Sequence, residues 1–394
     1  MIEASGGTLD PARLLRARIA VSLGFLMFGA GFGVWAVHIP VVAARLQLDP
    51  AILGLALLNV GLGGVISQPL MGWLIARTSS RPAAMALLPV FLVIVMTPIL
   101  AWSTPALFVA TLLLGLAGGA NNVAINTQAS EIEQARGKPT MSSFHGFFSL
   151  GALVGAALGG GIIAAGWQNG GGAMAAIGTM LATAGFAVRH YLPAPVAKKD
   201  AATAASSRFA WPSLAVLGLA VLTFFSNTVE GAVNDWSALY LSTVRGFSDA
   251  AAASGFAAFS LAMAICRLAG GPVVARLGEK RIVLFGGLLM ALGMAVVILS
   301  PWAMLSPLGF ALVAIGAANT IPVMMGAASR APGMAASTGV AITATAAMLG
   351  FLIGPPAIGF IAHAMGLGAA LGFLSLAGVV IAIGAALYDW PPRM

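Results

Sequence analysis

The chain has 394 residues, of which 60% are hydrophobic and 8% charged, and its mean hydropathy is +0.99. A soluble domain carries roughly 25% charge, so a water-facing surface cannot be built here and lipid must solvate much of the chain. The net charge of +8 is spread over short segments between apolar blocks, which argues for membrane topology and against nucleic-acid binding.

The apolar blocks are continuous and do not alternate, which excludes a membrane barrel and leaves helices that satisfy their own backbone hydrogen bonds. A spanning helix needs about 20 apolar residues. Cutting at charges and Pro/Gly clusters predicts twelve spans: 17–40, 51–75, 82–102, 105–129, 142–166, 171–192, 213–241, 251–275, 281–301, 305–327, 335–363 and 367–388. The first follows Arg13, Arg16 and Arg18, as in a signal peptide. Its apolar run from Ile19 to Pro40 is about twice the length of a signal core, and no small-residue cleavage site is convincing, so it reads as a retained helix. Between spans six and seven, residues 193–212 (PAPVAKKDAATAASSRFAWP) have the composition of a linker. This divides the chain into a six-helix half at 1–192 and another at 213–394.

Arg77, Arg81, Arg136, Lys138, Arg189, Lys198, Lys199, Arg208, Arg276, Lys280, Arg281, Arg330 and Arg393 all fall on the side of Arg13 if there are twelve spans. The other side holds Arg45 and Arg245. That asymmetry predicts that both termini and the linker are cytoplasmic. The one cysteine, Cys266, rules out an intrachain disulfide and a cysteine zinc site.

The halves repeat each other. GWLIARTSSR from Gly72 recurs as GPVVARLGEKR from Gly271, and Gly151 and Gly155 recur as Gly350 and Gly354, all 199 residues on. Gly118 to Asn121 recur as Gly316 to Asn319, and Trp35 has a counterpart in Trp236. Two repeated six-helix halves with a path between them are a transporter architecture.

On these residues the chain resembles the major facilitator superfamily. Gly72, Leu74, Arg77 and Arg81 match the family's loop after helix 2, and Gly271, Arg276, Gly278 and Lys280 match its second copy. The loop's aspartate is replaced by Ala76 and Ala275, and the run Leu112 to Asn122 lacks the helix-4 arginine of many proton-driven members. The stretches Asn121 to Ala156 and Glu230 to Leu241 resemble the rhizopine-permease-like subgroup of bacterial permeases. The resemblance implies a cavity lined by helices 1, 4, 7 and 10.

Ionisable groups inside a bilayer are costly and therefore functional candidates. Glu230 and Asp235 in predicted helix 7 and Arg267 in predicted helix 8 qualify as proton-coupling residues, with Glu230 first among them and Asp235 next. Asn227, Glu230 and Asn234 share one helix face. For Glu230, a closing cavity favours the protonated carboxyl, and water or a nearby cation favours the ionised form. A fixed ion pair with Arg267 is the rival role. Asp235 reads as near the outer boundary, beside Trp236 as an interfacial anchor or substrate contact. Asn121, Asn122 and Asn126 in helix 4, Asn227 and Asn234 in helix 7 and Asn319 in helix 10 are substrate-binding candidates, with helix–helix hydrogen bonding as the alternative for the amides of helix 4. His145, expected near Glu131 and Glu133, is a gate candidate, while His38 and His363 read as interfacial. The glycines at four-residue spacing in helices 5 and 11 are expected to let helices pack closely and slide.

The function expected is proton-coupled transport of a small polar metabolite (a sugar, polyol or aminopolyol) by a monomer; sodium coupling remains open. The rival is proton-driven efflux of amphipathic compounds, which calls for a greasier pocket. No enzyme constellation is present, and no cofactor or metal is called for.

Overall fold

The computed structural model describes residues 11–137, 140–167, 171–192, 213–332 and 336–390; the predicted linker lies outside them. The first half comprises α1 (Pro11–Arg45), α2 (Pro50–Arg77), α3 (Ser80–Ile99), α4 (Thr104–Arg136), α5 (Met141–Ala164) and α6 (Gly171–Val188). The second comprises α7 (Leu214–Thr243), α8 (Asp249–Leu268, continued by Gly270–Leu277), α9 (Glu279–Leu299), α10 (Ala303–Ala328), α11 (Ala336–Met365) and α12 (Leu367–Leu387). Among the described residues, eleven of these are long and apolar enough to cross a membrane, and α6 carries the shorter apolar stretch Met174–Gly185. With an even number of crossings the chain ends on the face where α1 begins, here called the terminal face; the other is the distal face.

Helix starts follow local chemistry. Asp49 accepts from the Ala51 amide ahead of Pro50, Ser103 from Ala106, Ser213 from Val216 and Ser248 from Ala251. Three helices are interrupted, each about four residues before a proline: α3 near Ile94 (Pro98), α8 near Leu268 (Pro272) and α10 near Ala318 (Pro322). Proline lacks an N–H and collides with the carbonyl four residues back, so each break lies where the ring requires it.

The packing obeys the repeat. Within the halves, α1 packs on α5 and α2 on α4, as α7 packs on α11 and α8 on α10. Between halves, α2 meets α11 and α5 meets α8, again a repeat-related pair. Polar contacts follow the same 199-residue offset. Ser80 donates to Glu131 at 2.8 Å, joining the start of α3 to the end of α4. Arg330 pairs with Glu279 at 2.7 Å, joining the end of α10 to the start of α9; 279 − 80 and 330 − 131 are both 199. The two arginines on the distal face also act alike. Arg45 donates to the carbonyls of Ile99 and Ala101, and Arg245 to that of Ser300, so each cation serves the carbonyl end of a helix.

The α5 glycines at four-residue spacing, Gly151, Gly155 and Gly159, pack closely on α1 of the same half. A Cβ on Gly151 would meet the Leu26 carbonyl and one on Gly155 the Ala30 carbonyl, both in α1; Gly350 likewise faces Phe224 of α7. Gly155→Leu is expected to lower the melting temperature sharply, because overpacking a core costs about 1–3 kcal/mol and here the obstacle is backbone. Gly161→Leu, in the same helix with open space around it, should leave the melting temperature within a degree or two. Equal effects would overturn this packing.

Candidate functional site

The halves enclose a cavity with two chambers. The distal chamber holds about 200 Å³ and is walled by residues including Trp35, Asn234, Asp235, Phe256, Phe259 and Ser260. The second holds about 570 Å³ and extends toward the terminal face past Phe25, Gln68, Asn122, His145, Asn227 and Thr345. Phe32, Val60, Phe148, Glu230, Arg267 and Phe351 line both. The predicted stripe Asn227, Glu230 and Asn234 thus faces the cavity, as its helical spacing requires.

Glu230 and Arg267 meet directly. The Arg267 guanidinium donates to both Glu230 carboxylate oxygens, at 2.9 and 3.3 Å. Their side chains are 16% and 20% exposed, respectively. A second guanidinium nitrogen donates across the cavity to Ser149 Oγ of α5 at 3.3 Å, linking the two halves. The ion pair offered by the sequence as the rival role for Glu230 is therefore formed. Asp235 lines the distal chamber, not a solvated boundary, and no protein hydrogen bond or ion pair is recorded for its carboxylate among the described residues. Its neighbour Trp236 points the other way: it is 0% exposed, sits in the hydrophobic core and does not line the cavity, so it is neither an interfacial anchor nor placed for substrate contact.

The amides divide by phase along their helices. Asn122 lines the cavity, and its side-chain oxygen accepts from Asn126 at 2.9 Å. Asn126 spends its side-chain N–H groups on Asn122 and lies outside the cavity lining. Asn121 is fully buried behind α4, with neither amide atom hydrogen-bonded within the described residues. Asn227 lines the cavity while donating to the Ala347 carbonyl of α11 at 2.6 Å. Asn319 sits at the break in α10 and donates to the Cys266 carbonyl at 3.1 Å, beside the break in α8. That is a structural use of an amide where proline has disturbed the backbone.

His145 lines the cavity against the edge of Phe25, with ring centroids 5.4 Å apart. The acids expected beside it are engaged elsewhere, because α4 continues as helix to Arg136. Glu131 meets Ser80 and Gln128, and Glu133 accepts from the amides of Thr140 and Met141 at the start of α5. His38 is buried, its Nδ1 donating to the Val34 carbonyl. The aromatic walls, Phe32, Phe148, Phe256, Phe259 and Phe351 above all, were not anticipated; the one available signal was phenylalanine spread over α1, α5, α8 and α11 without a shared motif. Among the described residues no cluster of His, Cys, Asp and Glu is placed to hold a metal.

The sequence profile of the Major Facilitator Superfamily matches residues 21–308 and 219–394. The chain belongs to the major facilitator superfamily. It is 35% identical over 371 residues to an uncharacterized MFS-type transporter of Yersinia pestis, covering 93% of this chain and 94% of that one. It is 30% identical over 376 residues to the membrane protein MosC of Rhizobium meliloti, covering 94% and 89%. A D-xylose–proton symporter shares the fold with a TM-score of 0.76 at 15% identity, covering 95% of this chain and 98% of that one. The nucleoside transporter NupG does so with a TM-score of 0.66 at 14% identity, covering 96% and 100%. This major facilitator protein is thus a multi-pass membrane transporter, with relatives that include MosC.

Proposed function

We propose that this transporter is a proton-coupled permease for a small hydroxylated solute, a sugar, polyol or aminopolyol, and that Asp235 carries the coupling proton. It works by alternating access in the bacterial inner membrane with its termini in the cytoplasm. The observation that carries the reading is the charge balance of the cavity. Glu230 and Arg267 neutralise each other, and Asp235 is left as one unpaired carboxylate. Charge in a low-dielectric cavity is costly unless compensated. The cavity therefore has room for one positive charge at a time. A proton on Asp235 together with a neutral solute satisfies it, and the protonated carboxyl adds a donor for a hydroxyl group. Asn234, Asn122, Ser149 and Ser260 supply further hydrogen bonds, and the aromatic rings offer faces to the apolar side of a sugar ring.

The same balance supports a second reading. An amine cation would take the proton's place on Asp235, with aromatic faces nearby to receive it. Two cations competing for one carboxylate exchange, so such a solute would leave the cell against entering protons. The aromatic walls favour this reading more than the polar residues of α4 and α7 suggest.

The test is accumulation in proteoliposomes under an imposed pH gradient. A neutral polyol concentrated toward the alkaline side supports symport, and an amine concentrated toward the acidic side supports exchange. A protein that equilibrates solutes without responding to the gradient is not proton-coupled.

A further inference from the structure

On the distal face, His363 Nδ1 donates to the Asp49 carboxylate at 2.6 Å, joining the last turn of α11 to the residue that caps α2, 314 positions away in the other half. Directly beneath, the two helices cross on glycine. A Cβ on Gly359 would meet the Pro50 carbonyl at 2.5 Å, and one on Gly54 the Pro355 carbonyl at 2.9 Å. The pair therefore covers a close contact between the halves at the distal end of α2 and α11.

We propose that Asp49 and His363 form a proton-dependent latch that holds the distal end closed while His363 is protonated. The latch is separate from the cavity and does not depend on the solute or on Asp235. Asp49 lies outside the spans, and the Ala51 amide and then the His363 imidazole hold its carboxyl below the ordinary range. It stays ionised in mildly acid solution, and its contribution is lost only as pH falls through that lowered value. A protonated imidazole attracts the Asp49 carboxylate as a cation and a neutral one only as a hydrogen-bond donor, so the attraction weakens as the proton leaves. Other ionisable groups near this end are committed elsewhere. Arg45 serves Ile99 and Ala101, Arg245 serves Ser300, His38 serves Val34, Asp235 faces the cavity, and Asp249 stands in the first turn of α8. An exposed ion pair adds little to global stability, but it can bias two packed arrangements that are close in free energy.

The test places spin labels on cysteines at Ala44 and Val244, at the distal ends of α1 and α7, in a Cys266→Ser background. Distance distributions are recorded in lipid nanodiscs at pH 6 and pH 8.5. The ratio of closed to open populations should fall about two- to fivefold on going to pH 8.5, the range an exposed pair carries. His363→Gln should flatten this dependence. So should Asp49→Asn, which keeps the helix cap because asparagine caps as well as aspartate. His363→Lys should keep the closed population high at both pH values. A pH-independent distribution in the otherwise unaltered chain would overturn the latch, and so would full pH dependence in His363→Gln.

Discussion

Asp235→Asn is expected to abolish accumulation driven by a pH gradient and to leave exchange at equal concentrations largely intact. One proton carried with each solute, under a gradient of one pH unit, sustains about tenfold accumulation, because each unit is worth about 1.4 kcal/mol. The amide keeps the shape of the protonated acid and its ability to donate a hydrogen bond, but it cannot carry a proton through the cycle. Accumulation should fall from about tenfold to about onefold, with solute affinity changed by less than about fivefold, within the worth of one hydrogen bond. Asp235 stands before Glu230 in this prediction because its carboxylate has no hydrogen-bond or ion-pair partner among the described residues, whereas Glu230 is held by Arg267. Gradient-driven accumulation at parental level in Asp235→Asn would move the coupling proton to Glu230.

Arg267→Gln is expected to destabilise the protein, and Glu230→Gln added to it should restore much of the loss. Removing one partner of a sealed ion pair costs about 3–5 kcal/mol, since the other charge is left without compensation. This pair borders the cavity and both side chains are partly exposed, so about 2 kcal/mol is the expected cost of either single change. The double variant leaves two amides that can hydrogen-bond to each other, and its melting temperature should return most of the way to that of the parent. Transport should not return with it. The bond from Arg267 to Ser149 crosses between the halves, and glutamine is too short to make it. A double variant showing the full sum of the two single losses would mean that the pair adds no mutual stabilisation.

Much of the architecture was legible in the sequence because its causes are local. Eleven spans are long apolar runs, and Asp49, Ser103, Ser213 and Ser248 cap the helices they precede; the breaks in α3, α8 and α10 were not anticipated, although each lies about four residues before a proline. The repeat was legible too, and its 199-residue offset reappears in contacts that no motif showed, Ser80 with Glu131 and Glu279 with Arg330. Arg45 and Arg245, exceptions to the charge rule in the sequence, are helix-end ligands in the structure.

The site was legible only as a set of residue types. Successive residues on a helix are turned by about 100°, and hydropathy does not set which face of a buried helix looks inward when nearly every face is apolar. Asp235 and Trp236 are adjacent, yet one lines the cavity and the other is sealed in the core. Asn121 and Asn122 part in the same way. The ion pair of Glu230 with Arg267 and the latch of Asp49 with His363 join positions 37 and 314 residues apart. Sequence by itself determined a twelve-span transporter of repeated halves, because hydropathy acts over a few residues at a time and the repeat can be read directly by comparing one half with the other. Only the tertiary structure decided which carboxylate is paired and which stands alone in the cavity, because that depends on the rotation and bending of packed helices.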